Sequence, residues 1–299
     1  LTEKQFEAAA ALADQLLDRF PDTPQGYVLR VRTLAGSGRL ADAAACVERC
    51  ALTGPAKGGL WELLADEYAA ADQPGPATAA LRQAVALLPA SIGVRHKLIR
   101  RSESMDEARP LVEDIRSIEG EEGVHWKFER AWALLRHERA PSAGEAVELL
   151  KQCLSARPAW VSARVFLGSA QEAAGALGEA ADAYRAAITQ RPELAADTVA
   201  IRLVEVLKSL GRFSEADAVL GPLSAALPDS PDVLRLEIDK QLRNRRVASA
   251  AAVAERLLEL RRDDPAWAGV TADLQLRAGN AAKAEQIARS ALQQHPDST

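Results

Sequence analysis

Apolar residues along this chain return at helical spacing in blocks of roughly 34 positions, and most blocks close on glycine or proline. The clearest block runs from Pro158 to Pro192. Val161, Val165, Ala170 and Ala174 fall three to five apart and give one helix a buried stripe. Gly168 permits close approach of a second helix, and Gly175 supplies a left-handed residue that ends the first. Ala180, Tyr184 and Ala187 stripe the second helix, and Pro192 stops it. The pattern predicts a helix–turn–helix unit.

The rest of the chain varies this theme. Residues 2–20 predict one helix, with Thr2 and Gln5 at capping-box spacing and Phe6, Ala9, Ala13, Leu16 and Leu17 as its stripe. In 22–55, Tyr27, Val31 and Leu34 precede Gly38, and Ala43, Val47 and Cys50 follow it. Residues 56–89 carry Trp61, Leu64, Ala65 and Tyr68, a stiff turn at Gln73-Pro74-Gly75-Pro76, then Ala77, Leu81, Ala84 and Pro89. Between 90 and 141 the regularity fails. Residues 91–101 predict a short helix, and Ser104 and Glu107 cap the next. Glu119-Gly120-Glu121-Glu122-Gly123 is a polar break before an aromatic helix with Trp126, Phe128, Trp132 and Leu135. Of the two tryptophans, one is expected in the core and the other on the joint. Ser142 and Glu145 are expected to cap the partner helix, with Ala146, Leu150 and Cys153. Asp197–Pro228 repeats the pattern, with Gly221-Pro222 expected to interrupt its second helix. The unit from 229 to 265 has Arg243-Asn244-Arg245-Arg246 in place of a turn glycine, and Pro265–Pro296 closes the series with Gly279, Ala284 and Ala291.

This order of residues resembles the tetratricopeptide repeat, whose signature is W-x2-L-G-x2-Y, A-x3-F and a proline at a period of 34. Leu167-Gly168, Ala180, Tyr184 and Pro192 carry the resemblance in one unit; Trp61, Leu64, Ala65 and Tyr68 carry it in another. The resemblance implies an all-α, right-handed superhelical solenoid of about eight antiparallel helix pairs plus one N-terminal helix. Residues 1–299 are then one array, with sub-blocks 1–120 and 121–299 expected to meet at an irregular joint.

In such arrays the first helices line a concave groove. Carried onto this sequence, the lining stripe gives Val28 and Arg32; Glu62, Asp66 and Ala69; Val165, Ser169 and Glu172; Ile201, Glu205 and Lys208; and Gly269, Asp273 and Leu276. That lining leans acidic with apolar patches, which predicts a partner segment bearing basic and apolar residues. The lysine, arginine and asparagine clamp that some members use on chaperone tails is not matched, because Asn244 and Asn280, the two asparagines, both fall in turns.

Composition narrows the chemistry further. Residues 1–150 hold 18 basic and 23 acidic side chains, and residues 151–299 hold 19 of each. Neither half has the positive field that nucleic-acid binding needs. Arg95, His96, Lys97, Arg100 and Arg101 are followed at once by acids and are expected to be a solvated, partly salt-bridged surface. No run is apolar enough to span a membrane. Cys46, Cys50 and Cys153 sit on packing faces, and His96, His125, His137 and His295 show no metal spacing. No phosphate loop or nucleophile elbow is present, so no cofactor, metal or catalytic residue is expected. Arginine outnumbers lysine 29 to 8, which points to a GC-rich bacterial genome. The chain starts at Leu1 and its single methionine is Met105, which suggests a fragment of a longer protein.

The reading that follows is a non-enzymatic scaffold holding a partner peptide or helix. The alternatives are an assembly subunit of a bacterial secretion, surface or polysaccharide-export machine, and a regulatory domain whose catalytic part lies elsewhere.

Overall fold

The computed structural model describes residues 3–261 and 264–294. Thr2 of the expected capping box and His295 lie outside the described residues. Seventeen α-helices and no strand occur among the described residues. The chain forms two compact units, Leu1–Ala156 and Arg157–Thr299.

The first unit opens with α1 (Glu3–Arg19). Four pairs follow: α2 (Pro24–Gly36) with α3 (Leu40–Arg49), α4 (Gly54–Ala70) with α5 (Pro74–Leu87), α6 (Ile92–Ile99) with α7 (Met105–Glu119), and α8 (Val124–His137) with α9 (Ala143–Ala156). The second unit has four more pairs: α10 (Val161–Ala173) with α11 (Leu177–Gln190), α12 (Thr198–Ser209) with α13 (Phe213–Ala226), α14 (Pro231–Arg243) with α15 (Val247–Leu260), and α16 (Pro265–Arg277) with α17 (Ala281–Gln294). Within each unit every helix packs on its neighbours in sequence, and first helices also meet directly, as α2 with α4 and α6 with α8. The fold is all-α, built from stacked pairs.

The core is a chain of small clusters rather than one mass. Alanines at 43, 65, 84, 131, 163, 187, 216 and 254 are buried at the crossings, with leucine, valine and isoleucine between them. Short side chains let helix axes approach, so each pair buries its stripe against the next. Cys50 and Cys153 are buried among these residues, and none of the three cysteines is in a disulfide.

The turn inside most pairs has one geometry. Gly38, Gly175, Gly211 and Gly279 have φ between +72° and +87°. The next residue donates its N–H to the carbonyl five positions back, as Ala176 does to Gln171 at 2.8 Å. This is the left-handed helix cap that frees the chain to reverse. The turn survives without glycine: Arg245 has φ +56° and Asp72 φ +55°, and Arg246 and Gln73 make the same backbone bond.

Three local expectations are corrected. Gln73-Pro74-Gly75-Pro76 is not a turn throughout, because α5 begins at Pro74, where the missing N–H costs no helical bond. Gly221-Pro222 does not interrupt α13. Both residues are exposed, and the buried neighbours Leu220 and Leu223 hold the helix through the proline. Ser142 does not cap α9; its hydroxyl donates to Glu138, and a short 3-10 turn at Ala140–Ser142 precedes that helix.

The segment 119–123 lies inside the first unit, and α7 and α8 pack across it. Glu119 Oε2 accepts from the backbone N–H of His125 at 2.9 Å and of Trp126 at 3.1 Å, while its Oε1 meets the His125 ring. A carboxylate from the end of α7 thus satisfies the open N-terminus of α8. Trp126 is buried and its Nε1 donates to Gly120 O at 3.1 Å, so this one residue serves both core and turn.

Candidate partner-binding face

The first helices of each unit carry a polar stripe beside the core stripe, because positions four and three apart share a helix face. In the first unit this face holds Arg32 on α2, Glu62 and Asp66 on α4, His96 and Lys97 on α6 with Arg100 just past its end, and Glu129 on α8. Arg32 and Asp66 are exposed and Glu62 is half-buried. Lys97 Nζ lies 2.9 Å from Glu62 Oε1 and 2.8 Å from Asp66 Oδ2. Burial lowers the Lys97 pKa, but the hydrogen bonds its ammonium donates to Asp66 and Glu62, with their negative charges, outweigh it and leave the ammonium above its usual value.

One step along, Glu129 is only 2% exposed. Its Oε1 accepts from Arg100 Nη2 at 3.1 Å and faces His96 Nδ1 at 2.5 Å. Its Oε2 is buried with no hydrogen-bond partner. Arg100 also lies over the Trp132 ring, 4.1 Å from its centroid, and 5.5 Å from that of Phe128. Burial pulls the guanidinium pKa down, against the opposing pull of Glu129. A desolvated carboxylate therefore exists on this face. Arg95, from the same basic run, is also buried: it pairs with Asp114 at 3.1 Å and donates to the carbonyls of Leu88 and Ser91.

The second unit builds its face in the same way. Ser169 and Glu172 stand on α10, and the Tyr184 hydroxyl from α11 donates to Glu172 Oε2 at 3.1 Å and lies 3.1 Å from Ser169 Oγ. Burial pushes the Tyr184 phenol up, so the hydroxyl stays a donor. Arg202 on α12 reaches back to Glu172 Oε1 at 2.9 Å and sideways to Glu205 Oε2 at 3.6 Å. Lys208 on α12 pairs with Asp239 on α14 at 2.5 Å. Asp273 on α16 is exposed, 3.5 Å from Arg277 of its own helix.

Val165 is half-buried against the core, and Ala69, Gly269 and Leu276 are exposed. Ile201 instead lies in the core cluster, 8% exposed. The sequence reading expected His96, Lys97 and Arg100 to be partly salt-bridged without naming their partners, and it missed Arg202. The signal was present, since Asp66 to Lys97 and Lys208 to Asp239 are 31 residues apart and Arg100 to Glu129 is 29. Opposite charges nearly one repeat apart fall on adjacent first helices.

Among the described residues no three metal-ligating side chains come together, and no helix is long and apolar enough to cross a membrane. Stacked helix pairs with a polar face along their first helices define a helical-repeat protein. Sequence profiles described as tetratricopeptide repeat match residues 2–52, 128–195 and 235–299 in one case and 171–237 in another. The chain belongs to the tetratricopeptide repeat family.

Solved structures share the fold at low identity. PilW, described as a type IV pilus biogenesis factor, is 18% identical with a TM-score of 0.57 over 71% of this chain and 97% of its own. Pseudomonas aeruginosa PilF is 14% identical with a TM-score of 0.58 over 72% and 97%. A tetratricopeptide repeat protein from Parabacteroides merdae is 12% identical with a TM-score of 0.58 over 90% and 98%. A search of curated protein sequences finds no match.

Proposed function

We propose that this chain is a non-enzymatic scaffold whose first-helix faces hold a segment of a partner protein. The observation that carries this reading is the series of ion pairs linking successive first helices: Asp66 with Lys97, Glu129 with Arg100, Glu172 with Arg202 and Asp239 with Lys208. Apolar or small residues, Ala69, Val165 and Leu276, flank them. Such a face offers charge for orientation and apolar area for affinity.

The partner segment bears basic and apolar residues. In the second unit the carboxylates of Glu172, Glu205, Asp239 and Asp273 meet Arg202, Lys208 and Arg277, so one negative charge is left over. A partner lysine or arginine joins these pairs by exchange, without stripping a bare charge of water. Nucleic acid is not a partner in this reading, since neither face carries a positive field.

Selection of peptides from a random display library on the immobilised protein tests the proposal. Enrichment of segments with lysine or arginine beside leucine, isoleucine or phenylalanine is expected. Enrichment of nothing, or of acidic segments alone, contradicts it.

A further inference from the structure

A site of the opposite character lies where α5, α6 and α7 pack together. These helices enclose a slot of about 300 Å3, with Val85, Leu98 and Leu111 supplying apolar surface. Arg82 of α5 and Arg101 of the α6–α7 turn also line it. Four other arginines on these helices and their turns pair with carboxylates: Arg95 with Asp114, Arg100 with Glu129, Arg109 with Asp106, and Arg116 with Glu121. Among the described residues, the Arg82 and Arg101 side chains have no hydrogen bond or ion pair.

An unpaired arginine on a surface is ordinary. Two in the lining of one apolar slot are a charge pattern with a complement. The one carboxylate there, Glu107, accepts the N–H of Glu103 at 3.1 Å, and with two guanidiniums against it the lining is net positive. The volume is at the small end for a ligand site and suits one or two side chains rather than a large cofactor. The guanidinium geometry favours carboxylate over a point anion, because its planar fork matches two oxygens.

We infer that this slot docks a short acidic segment of a partner protein. An apolar side chain enters among Val85, Leu98 and Leu111, and adjacent carboxylates pair with Arg82 and Arg101. The site uses none of the residues of the first-helix face, so it does not depend on the function proposed above. Its preference is the reverse: acidic and apolar, where the other face takes basic and apolar.

The test is fluorescence anisotropy on the full chain with a labelled hexapeptide of two leucines flanked on each side by two aspartates. A control peptide has lysine in place of aspartate. The acidic peptide is expected to bind the wild type, with affinity that falls as salt rises. Arg82→Glu with Arg101→Glu should weaken it at least about tenfold and leave the lysine peptide no weaker. Arg82→Ala with Arg101→Ala should give a smaller loss, and circular dichroism should match the wild type for both. Asp66→Lys with Glu205→Lys should leave the acidic peptide bound. Failure of the acidic peptide to bind the wild type, or binding untouched by the glutamate pair, overturns the inference. Binding of laurate without binding of the peptide overturns it too, in favour of a fatty-acid site.

Discussion

A Cβ placed on Gly168 would lie 2.7 Å from Cε1 of the Tyr184 ring. The ring cannot move aside easily, because it is 1% exposed and its hydroxyl is tied to Glu172 and Ser169. Gly168→Ala is therefore expected to destabilise the protein by about 1–3 kcal/mol, the usual cost of overpacking. Urea unfolding checks this. Pairing Gly168→Ala with Tyr184→Leu should recover part of the loss, and an unchanged midpoint for the single variant would refute the close packing.

The pair turns give an expectation of opposite sign. Arg245 holds φ +56°, where an L side chain costs about 1–2 kcal/mol relative to its favoured regions. Glycine removes that strain but adds chain entropy to the unfolded state. Arg245→Gly should raise stability by about 0.5–1 kcal/mol. A fall in Tm would mean that the arginine side chain contributes more than its backbone costs.

Arg100 and Glu129 form an interhelix pair with one member fully desolvated. A double-mutant cycle with Arg100→Ala and Glu129→Ala should show a coupling of about 0.5–3 kcal/mol. Glu129→Gln should cost less than Glu129→Ala, since an amide oxygen still accepts from Arg100. Additive effects of the two alanine substitutions would show that the pair holds nothing together.

His137 gives a pH dependence. Burial, then the Arg136 charge, pulls its pKa below the ordinary 6.5, while Ser102 Oγ lies 3.2 Å from its Nε2. Folding thus favours the neutral ring. As pH falls through 6.5 the unfolded chain takes up the proton first, so this residue lowers stability progressively on the acid side. The Tm of His137→Gln should fall less steeply than that of the wild type between pH 7 and about 5. Parallel curves would refute it.

The helix pairs were legible because their signals are local. A stripe three to five apart and a glycine or proline at each end need no knowledge of the rest of the chain. Arg245 shows the limit of that logic: the left-handed turn is kept by repeat geometry after the glycine is gone. Pro222 shows another, since a proline on an exposed face can be carried by buried neighbours on the opposite side. The acids of the first helices were visible, but their partners were not. Lys97 and Arg202 answer carboxylates on a different helix, and only the repeat length brings them together. Ile201 was read as lining because the polar stripe and the core stripe lie side by side on one helix, and a small rotation moves a residue from one to the other.

Binding of a selected basic and apolar peptide to Asp66→Lys with Glu205→Lys tests the scaffold reading most directly. Both residues lie on first helices and are about half exposed, at 55% and 48%. Exposed substitutions of this kind typically cost about 0.5 kcal/mol or less, so the Tm should stay within a few degrees. The account predicts that the peptide binds the wild type in a salt-sensitive way and the double variant at least about tenfold more weakly. Equal affinity for the two proteins would contradict it and place the contacts away from the first-helix faces.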